Sequence, residues 1–310
     1  MSSSKRICIG TRDSALALYQ AHLVQQELKQ LGLEAEIIEI TSDGDIDLET
    51  PLYEMGIQGI FTKALDIALL QNRIDIAVHS AKDIPTKLAK GLTLTAVLER
   101  ASPYDCLVLP STQKSVDFTQ DCTIATSSLR RKSQWLHRYA HHTTENLRGN
   151  IQTRIKKLDQ SNWQGAIFAQ AALERLNISS HHYVTLDWML PSPAQGAIGV
   201  VCRQDDSTTL EICKSINHAY TSLCISAERD FLAALHGGCA VPIAAHAVVK
   251  EKQLFFRGNI FSLDGKQKCE VEMSFELDQA ITNFSAGALA AEEILKKGAE
   301  AIIKTFRPSF

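Results

Sequence analysis

Short apolar runs alternate with longer amphipathic stretches from the start of the chain. RICIG (6–10) reads as a strand, residues 14–31 as a helix, and EAEIIEI (34–40) as a second strand. A helix over 61–70, a strand at IDIAVHS (74–80) and another at LTLTAVLE (92–99) follow. Strands alternating with helices predict an α/β layer with a mainly parallel sheet.

A second unit begins near residue 102. DCLVLP (105–110), CTIAT (122–126) and GAIFA (165–169) predict strands; residues 128–141, 150–158 and 170–176 predict helices. The stretch 189–203 reads as a loop whose two prolines mark a crossover, then a strand, with a helix near 210–217. A third unit starts near 219. It has a helix to 235, a Gly-Gly-Cys turn, strands at 240–249, 254–261 and 268–276, and a closing helix over 285–304. Strands followed by a helix predict a small α+β domain. No internal repeat is clear enough to count.

With 310 residues the chain suits two or three domains. The formal net charge of −3 gives no global attraction to nucleic acid or an anionic membrane, so an anion site must come from local clustering of Arg and Lys. No run approaches the ~18 apolar residues of a membrane span, and the start carries no signal-peptide pattern. The eight cysteines form no CxxC pair, which points away from a zinc site or disulfide framework and towards thiols in a reducing cytosol.

Five stretches carry candidate chemistry. In GTRDSALAL, Arg12 and Ser14 stand between a strand and a helix, where free N–H groups and a guanidinium favour an anion; taken alone the stretch reads more readily as Ser14 or Asp13 capping the helix and Arg12 as a surface charge. In TSSLRR, Thr126, Ser127 and Ser128 precede a helix that begins with Arg130 and Arg131. Consecutive helical arginines point ~100° apart, so two anions can be served there. RRKSQWLHR also fits a solvated basic face or a nucleic-acid patch, although Trp135 and Tyr139 have core spacing. In LRGNIQTR, Arg148 precedes a helix and Arg154 lies in its first turns. In HSAKDIP, Lys82 and Asp83 leave a strand; Asp83 fits a proton shuttle or cation-stabilising carboxylate, or a cap. A fifth stretch, HGGCAVP, sets Cys239 after two glycines. That suits a nucleophile or attachment point, and equally a small residue at a strand start.

Taken together, GTRDSALAL, GIFTKALD, DIAVHSAKDIPT, ATSSLRR, LRGNIQTRIKKLD, QGAIGV and GGCAVPIA resemble, in order and across nearly the whole chain, the porphobilinogen deaminase (hydroxymethylbilane synthase) family. The resemblance implies an α/β fold of three domains. Two are periplasmic-binding-protein-like and flank a cleft (1–98 with 196–217, and 102–192); the third is a small α+β C-terminal domain (219–310) carrying the cysteine. It implies stepwise head-to-tail condensation of four porphobilinogen molecules to linear hydroxymethylbilane with loss of ammonia. The cofactor implied is dipyrromethane, thioether-linked to Cys239.

By the same resemblance Asp83 holds pyrrole N–H groups and stabilises the cation left when ammonia departs. Arg12, Ser14, Arg148 and Arg154 match substrate-binding positions. Lys82, Thr126, Ser127, Ser128, Arg130 and Arg131 match cofactor-binding positions. Phe61 and Lys63 belong to the active-site loop, and Gln195 to the hinge. The implied partners are porphobilinogen and the growing oligopyrrole, with no metal, nucleic acid or membrane, in a cytoplasmic monomer. Departures from the family pattern are Ile57, Gln58, Ala125, Glu145, Ala172, Ala194 and His236. They leave open a second reading, a polycarboxylate-binding relative that does not turn over.

Overall fold

The computed structural model describes residues 6–41, 62–235, 241–277 and 285–306. The chain divides into two compact units: 1–48, 57–101 and 196–223, and 49–56, 102–195 and 224–310.

The first unit is built on a five-stranded sheet. Its strands are β1 (Ile7–Thr11), β2 (Ala35–Glu39), β3 (Ile76–Ser80), β4 (Leu92–Val97) and β10 (Ile198–Arg203), in the order β2-β1-β3-β10-β4. Helix α1 (Ala15–Gln30) is started by Ser14, whose Oγ accepts from Ala17 N at 3.3 Å. It ends at Gly32 (φ 75), with Leu33 N donating to Leu28 O at 3.1 Å in a Schellman-type closure. Its buried stripe of Ala21, Val24 and Leu28 joins Ile7, Ile9, Ile76 and Val78 in one core. Helix α2 (Lys63–Leu70) packs Leu65, Ala68 and Leu69 with Ile74 and Ala77. A short 3-10 turn, Ala81–Asp83, follows β3.

The second unit holds two sheets. One contains β5 (Asp105–Val108), β6 (Thr123–Ala125), β7 (Thr143–Glu145), β8 (Gly165–Ala169) and β9 (Tyr183–Thr185), in the order β7-β6-β8-β5-β9. Helices α3 (Leu129–Arg138), α4 (Ile151–Asp159) and α5 (Gln170–Arg175) accompany it, and Trp135 of α3 is fully buried beside Leu107, Ile124 and Ile167. Trp135 therefore lies in the core, as its spacing predicts. The other sheet is a three-stranded antiparallel meander of β11 (Ile243–Lys250), β12 (Gln253–Phe261) and β13 (Lys268–Glu276). Helix α6 (Ser207–Ser215) belongs to the first unit, while α7 (Ala219–Ala234) begins there and ends in the second. Phe231 of α7, Phe256 of β12 and Ala290 of α8 (Ala286–Ile294) share one core with β11 and β13.

One expectation is refined and another corrected. The mainly parallel sheet expected of the first unit is present but not pure: in each five-stranded sheet four strands share a direction and one runs against them. In the first, β2-β1-β3 are parallel and β10 runs antiparallel between β3 and β4. In the second, β7-β6-β8 are parallel and β5 runs antiparallel between β8 and β9. Strands β5 and β10 each follow a passage of the chain from one unit to the other. Side-chain pattern records burial, not strand direction. The closing helix is also not continuous: Gly298 (φ 95) breaks it in a π-type turn before α9 (Glu300–Lys304). Of the described cysteines five are buried, and Cys8 and Cys269 are half-buried.

Candidate functional site

In the first unit the parallel strands β1 and β3 release their C-terminal ends at the same sheet edge. Ile9 pairs with Ile76 and Gly10 with Ala77, which brings Arg12 level with His79. Open α/β sheets bind ligands at such edges. Ser14 caps α1 there, and Thr11 Oγ1 donates to Ala17 O at 3.1 Å. The turn carrying Lys82 and Asp83 is fastened by Ala81 N, which donates to Ala197 O at 3.0 Å. Buried Gln20 reaches Ser80 from α1, its Nε2 donating to Ser80 Oγ at 2.9 Å. Lys82 and Asp83 are both half-buried. Lys63, the first residue of α2, is exposed.

At the same end of β3, level with Arg12, stands His79, which residue patterns did not single out. It is 6% exposed, and its Nε2 has no hydrogen-bond partner among the described residues. Burial lowers its pKa to about 4, and the Arg12 charge acts in the same direction. The imidazole is neutral at physiological pH.

In the second unit β6 and β7 are parallel and end together. Thr126 N donates to Glu145 O at 2.7 Å. The three hydroxyl groups that follow β6 are oriented by backbone donors. Thr126 Oγ1 accepts from Ser128 N at 3.2 Å, Ser127 Oγ from Leu147 N at 2.8 Å, and Ser128 Oγ from Arg131 N at 3.4 Å. A hydroxyl that accepts still has its proton to donate. This edge therefore presents oriented O–H donors at the start of a helix. Asn150 caps α4, accepting from Thr153 N at 2.9 Å. Arg148 is buried, and half-buried Arg154 donates through Nε to Gly149 O at 2.7 Å. Glu145, the departure most at odds with an acid ligand, is an exposed edge-strand residue.

Arg130 and Arg131 correct a further expectation. Their guanidinium groups do not diverge towards two anions; both end on Asp105. Arg130 Nη1 donates to Asp105 Oδ2 at 2.7 Å, and Arg131 Nε and Nη2 donate to Oδ1 at 3.1 and 2.8 Å. The physical reason is reach. Long side chains one helical step apart can converge on an anion placed between them at the head of β5. Gln195 joins the same carboxylate, its Nε2 donating to Oδ1 at 2.9 Å and to Pro103 O at 2.8 Å. Cys239 and Phe61 lie outside the described residues, as do Ile57, Gln58 and His236.

Each unit thus has an α/β sheet whose strand ends gather cations and hydroxyl donors, with an acid, Asp83, among them in the first. This is an α/β protein whose strand-end chemistry suits an organic acid with several negative groups. The family model "Porphobilinogen deaminase, dipyromethane cofactor binding domain" matches residues 7–211, and "Porphobilinogen deaminase, C-terminal domain" matches 222–296. A porphobilinogen deaminase of Syntrophotalea carbinolica is 40% identical over 97% of this chain and 96% of its own. Another, from Carboxydothermus hydrogenoformans, is 40% identical over 98% of both chains. The solved structure of an ancestral cationic amino acid solute binding protein covers 68% of this chain and 87% of its own at 13% identity and a TM-score of 0.43; the strand orders above stand without it.

The chain belongs to the porphobilinogen deaminase family, transferases of tetrapyrrole biosynthesis with a dipyrromethane cofactor. The residues present fit that cofactor. Oriented hydroxyl donors and arginines at the edge of the second unit suit its acetate and propionate side chains. Among the described residues no helix is long and apolar enough to cross a membrane.

Proposed function

We propose that this chain condenses porphobilinogen head to tail with Asp83 as its catalytic carboxylate. Asp83 accepts from pyrrole N–H groups and stabilises positive charge that develops on the substrate as ammonia leaves. Opposite charges ~4 Å apart at an effective dielectric of ~20 interact by roughly 4 kcal/mol. Confined to the transition state, that is on the order of a thousandfold in rate. Arg12, Ser14, Arg148 and Arg154 take substrate and chain carboxylates. Lys82, Thr126, Ser127, Ser128, Arg130 and Arg131 hold the cofactor, and Cys239 anchors it by a thioether. When bound, the cofactor supplies a free pyrrole α-carbon as nucleophile. Phe61 and Lys63 serve the active-site loop and Gln195 the hinge. The domains run 1–98 with 196–217, 102–192 and 219–310, in a cytosolic monomer.

The observation that carries this reading is the meeting of Arg12, Ser14, Lys82 and Asp83 at one strand-end edge of the first unit. The test is Asp83→Ala in protein already carrying its cofactor, assayed for bilane formation from porphobilinogen. Turnover falls by about a thousandfold while the melting midpoint stays in place. Near-normal turnover removes Asp83 from the reaction.

A further inference from the structure

Asp105 has no part in the roles just assigned. It opens β5 and is fully buried. Its two oxygens take four donors from three side chains: Nη1 of Arg130, Nε and Nη2 of Arg131, and Nε2 of Gln195. Each of those side chains has a further fixed partner. Arg130 Nη1 also donates to Leu190 O at 2.9 Å, Arg131 Nη1 to Ile167 O at 2.8 Å, and Gln195 Nε2 to Pro103 O. Leu190 is held from a second side as well, because Gln134 donates to its carbonyl and accepts from its N–H, both at 2.9 Å.

Burial would raise the pKa of Asp105, but the charges of Arg130 and Arg131 and the hydrogen bonds from Arg130 and Gln195 outweigh it and hold it well below the usual carboxylate range. The group is therefore an anion. With two guanidinium groups it leaves one net positive charge in a nearly dry setting, where an unpaired arginine would be costly. Arginine side chains carry much rotamer entropy, and fixing them before a ligand arrives removes an ordering cost from binding.

We propose that Asp105 is a positioning residue that fixes the directions in which Arg130 and Arg131 meet the acid side chains of the cofactor. Through Gln195 it also ties that pair to the crossing segment 190–195. The inference rests on the assignment of Arg130 and Arg131 to the cofactor made above.

Charge and geometry predict opposite signs, which makes the role testable. Asp105→Asn removes a negative charge beside two arginines. Coulomb attraction alone would then strengthen their grip on a carboxylate; lost positioning would weaken it. Apoprotein made in a host unable to form porphobilinogen is incubated with porphobilinogen, and the fraction of chains that gain the covalent dipyrromethane is read by intact mass. The porphobilinogen concentration for half-loading rises about tenfold in Asp105→Asn, the scale of a lost supporting shell, with the far-UV dichroism unchanged. Half-loading at or below the wild-type concentration overturns the proposal.

Should Asp105→Asn fail to fold, Asp105→Glu keeps the charge and displaces it by one methylene; it too loads at higher concentration, and wild-type loading overturns the proposal. Arg130→Leu and Arg131→Leu separate the positioning role from the assignment beneath it. If they load normally, the assignment of the arginines fails. If they do not load while both Asp105 variants do, only the positioning role fails.

Discussion

Acidification should destabilise this protein through one buried histidine. His79 folds as a neutral imidazole, its pKa lowered from 6.5 to about 4 by burial and then by Arg12. Between those two values the unfolded chain binds a proton that the folded chain excludes. Stability is therefore complete above the unfolded value and falls as pH drops towards the folded one. The gap of roughly 2.5 units corresponds to at most about 3 kcal/mol. Burial of His142 lowers its pKa as well, so it contributes with the same sign. Asp105 acts elsewhere: its folded pKa is depressed, so its contribution is present above the ordinary carboxylate value and is lost only at much lower pH.

The assay is urea unfolding of the wild type and His79→Gln from about pH 7.5 to about pH 4.5. Comparing the two proteins at each pH cancels His142 and the acids. The wild type loses about 2.5 kcal/mol more than the variant across that range. Parallel profiles would show that His79 is protonated in the folded protein, or is not desolvated by it, and would refute the reasoning.

Two other substitutions test the packing. Ala194 sits at φ 63, a left-handed conformation that costs a residue with a Cβ about 1–2 kcal/mol, against roughly 0.5–1 for the extra chain entropy of glycine. Ala194→Gly should raise stability by about 0.5–1 kcal/mol, read as a higher melting midpoint; a lower midpoint contradicts the strain. A Cβ on Gly287 would lie 1.8 Å from the Ala227 carbonyl oxygen and 2.7 Å from Phe231 N. Gly287→Ala should cost about 3 kcal/mol despite the better helix propensity of alanine. An unchanged urea midpoint would mean that α8 does not press on α7.

The sequence carried most elements where burial and capping leave a local signature. Strands β1, β3 and β8 are apolar and buried, and Ser14, Ser128 and Asn150 cap the helices they precede. Strands β7 and β9 left no such mark. Each has three residues, neither contains a fully buried side chain, and each exists because a neighbour at the sheet edge pairs with it. Glycine at 298 follows two lysines, a helix-ending signal that the apolar spacing beyond it concealed. Arginines and hydroxyl residues at strand ends were legible because their types recur beside one another in the chain. Asp105 was not, because its partners lie 25, 26 and 90 residues away. His79 was hidden for a different reason: its significance is a buried Nε2 with no hydrogen-bond partner among the described residues, which only the folded environment reveals.

Whether a primer is tethered to this chain decides more than any other question. Protein expressed in a host that makes porphobilinogen is digested, and the peptide containing Cys239 is weighed. The peptide should carry the added mass of two linked pyrrole units on its sulfur. The bare thiol in a preparation that still forms bilane would contradict the account.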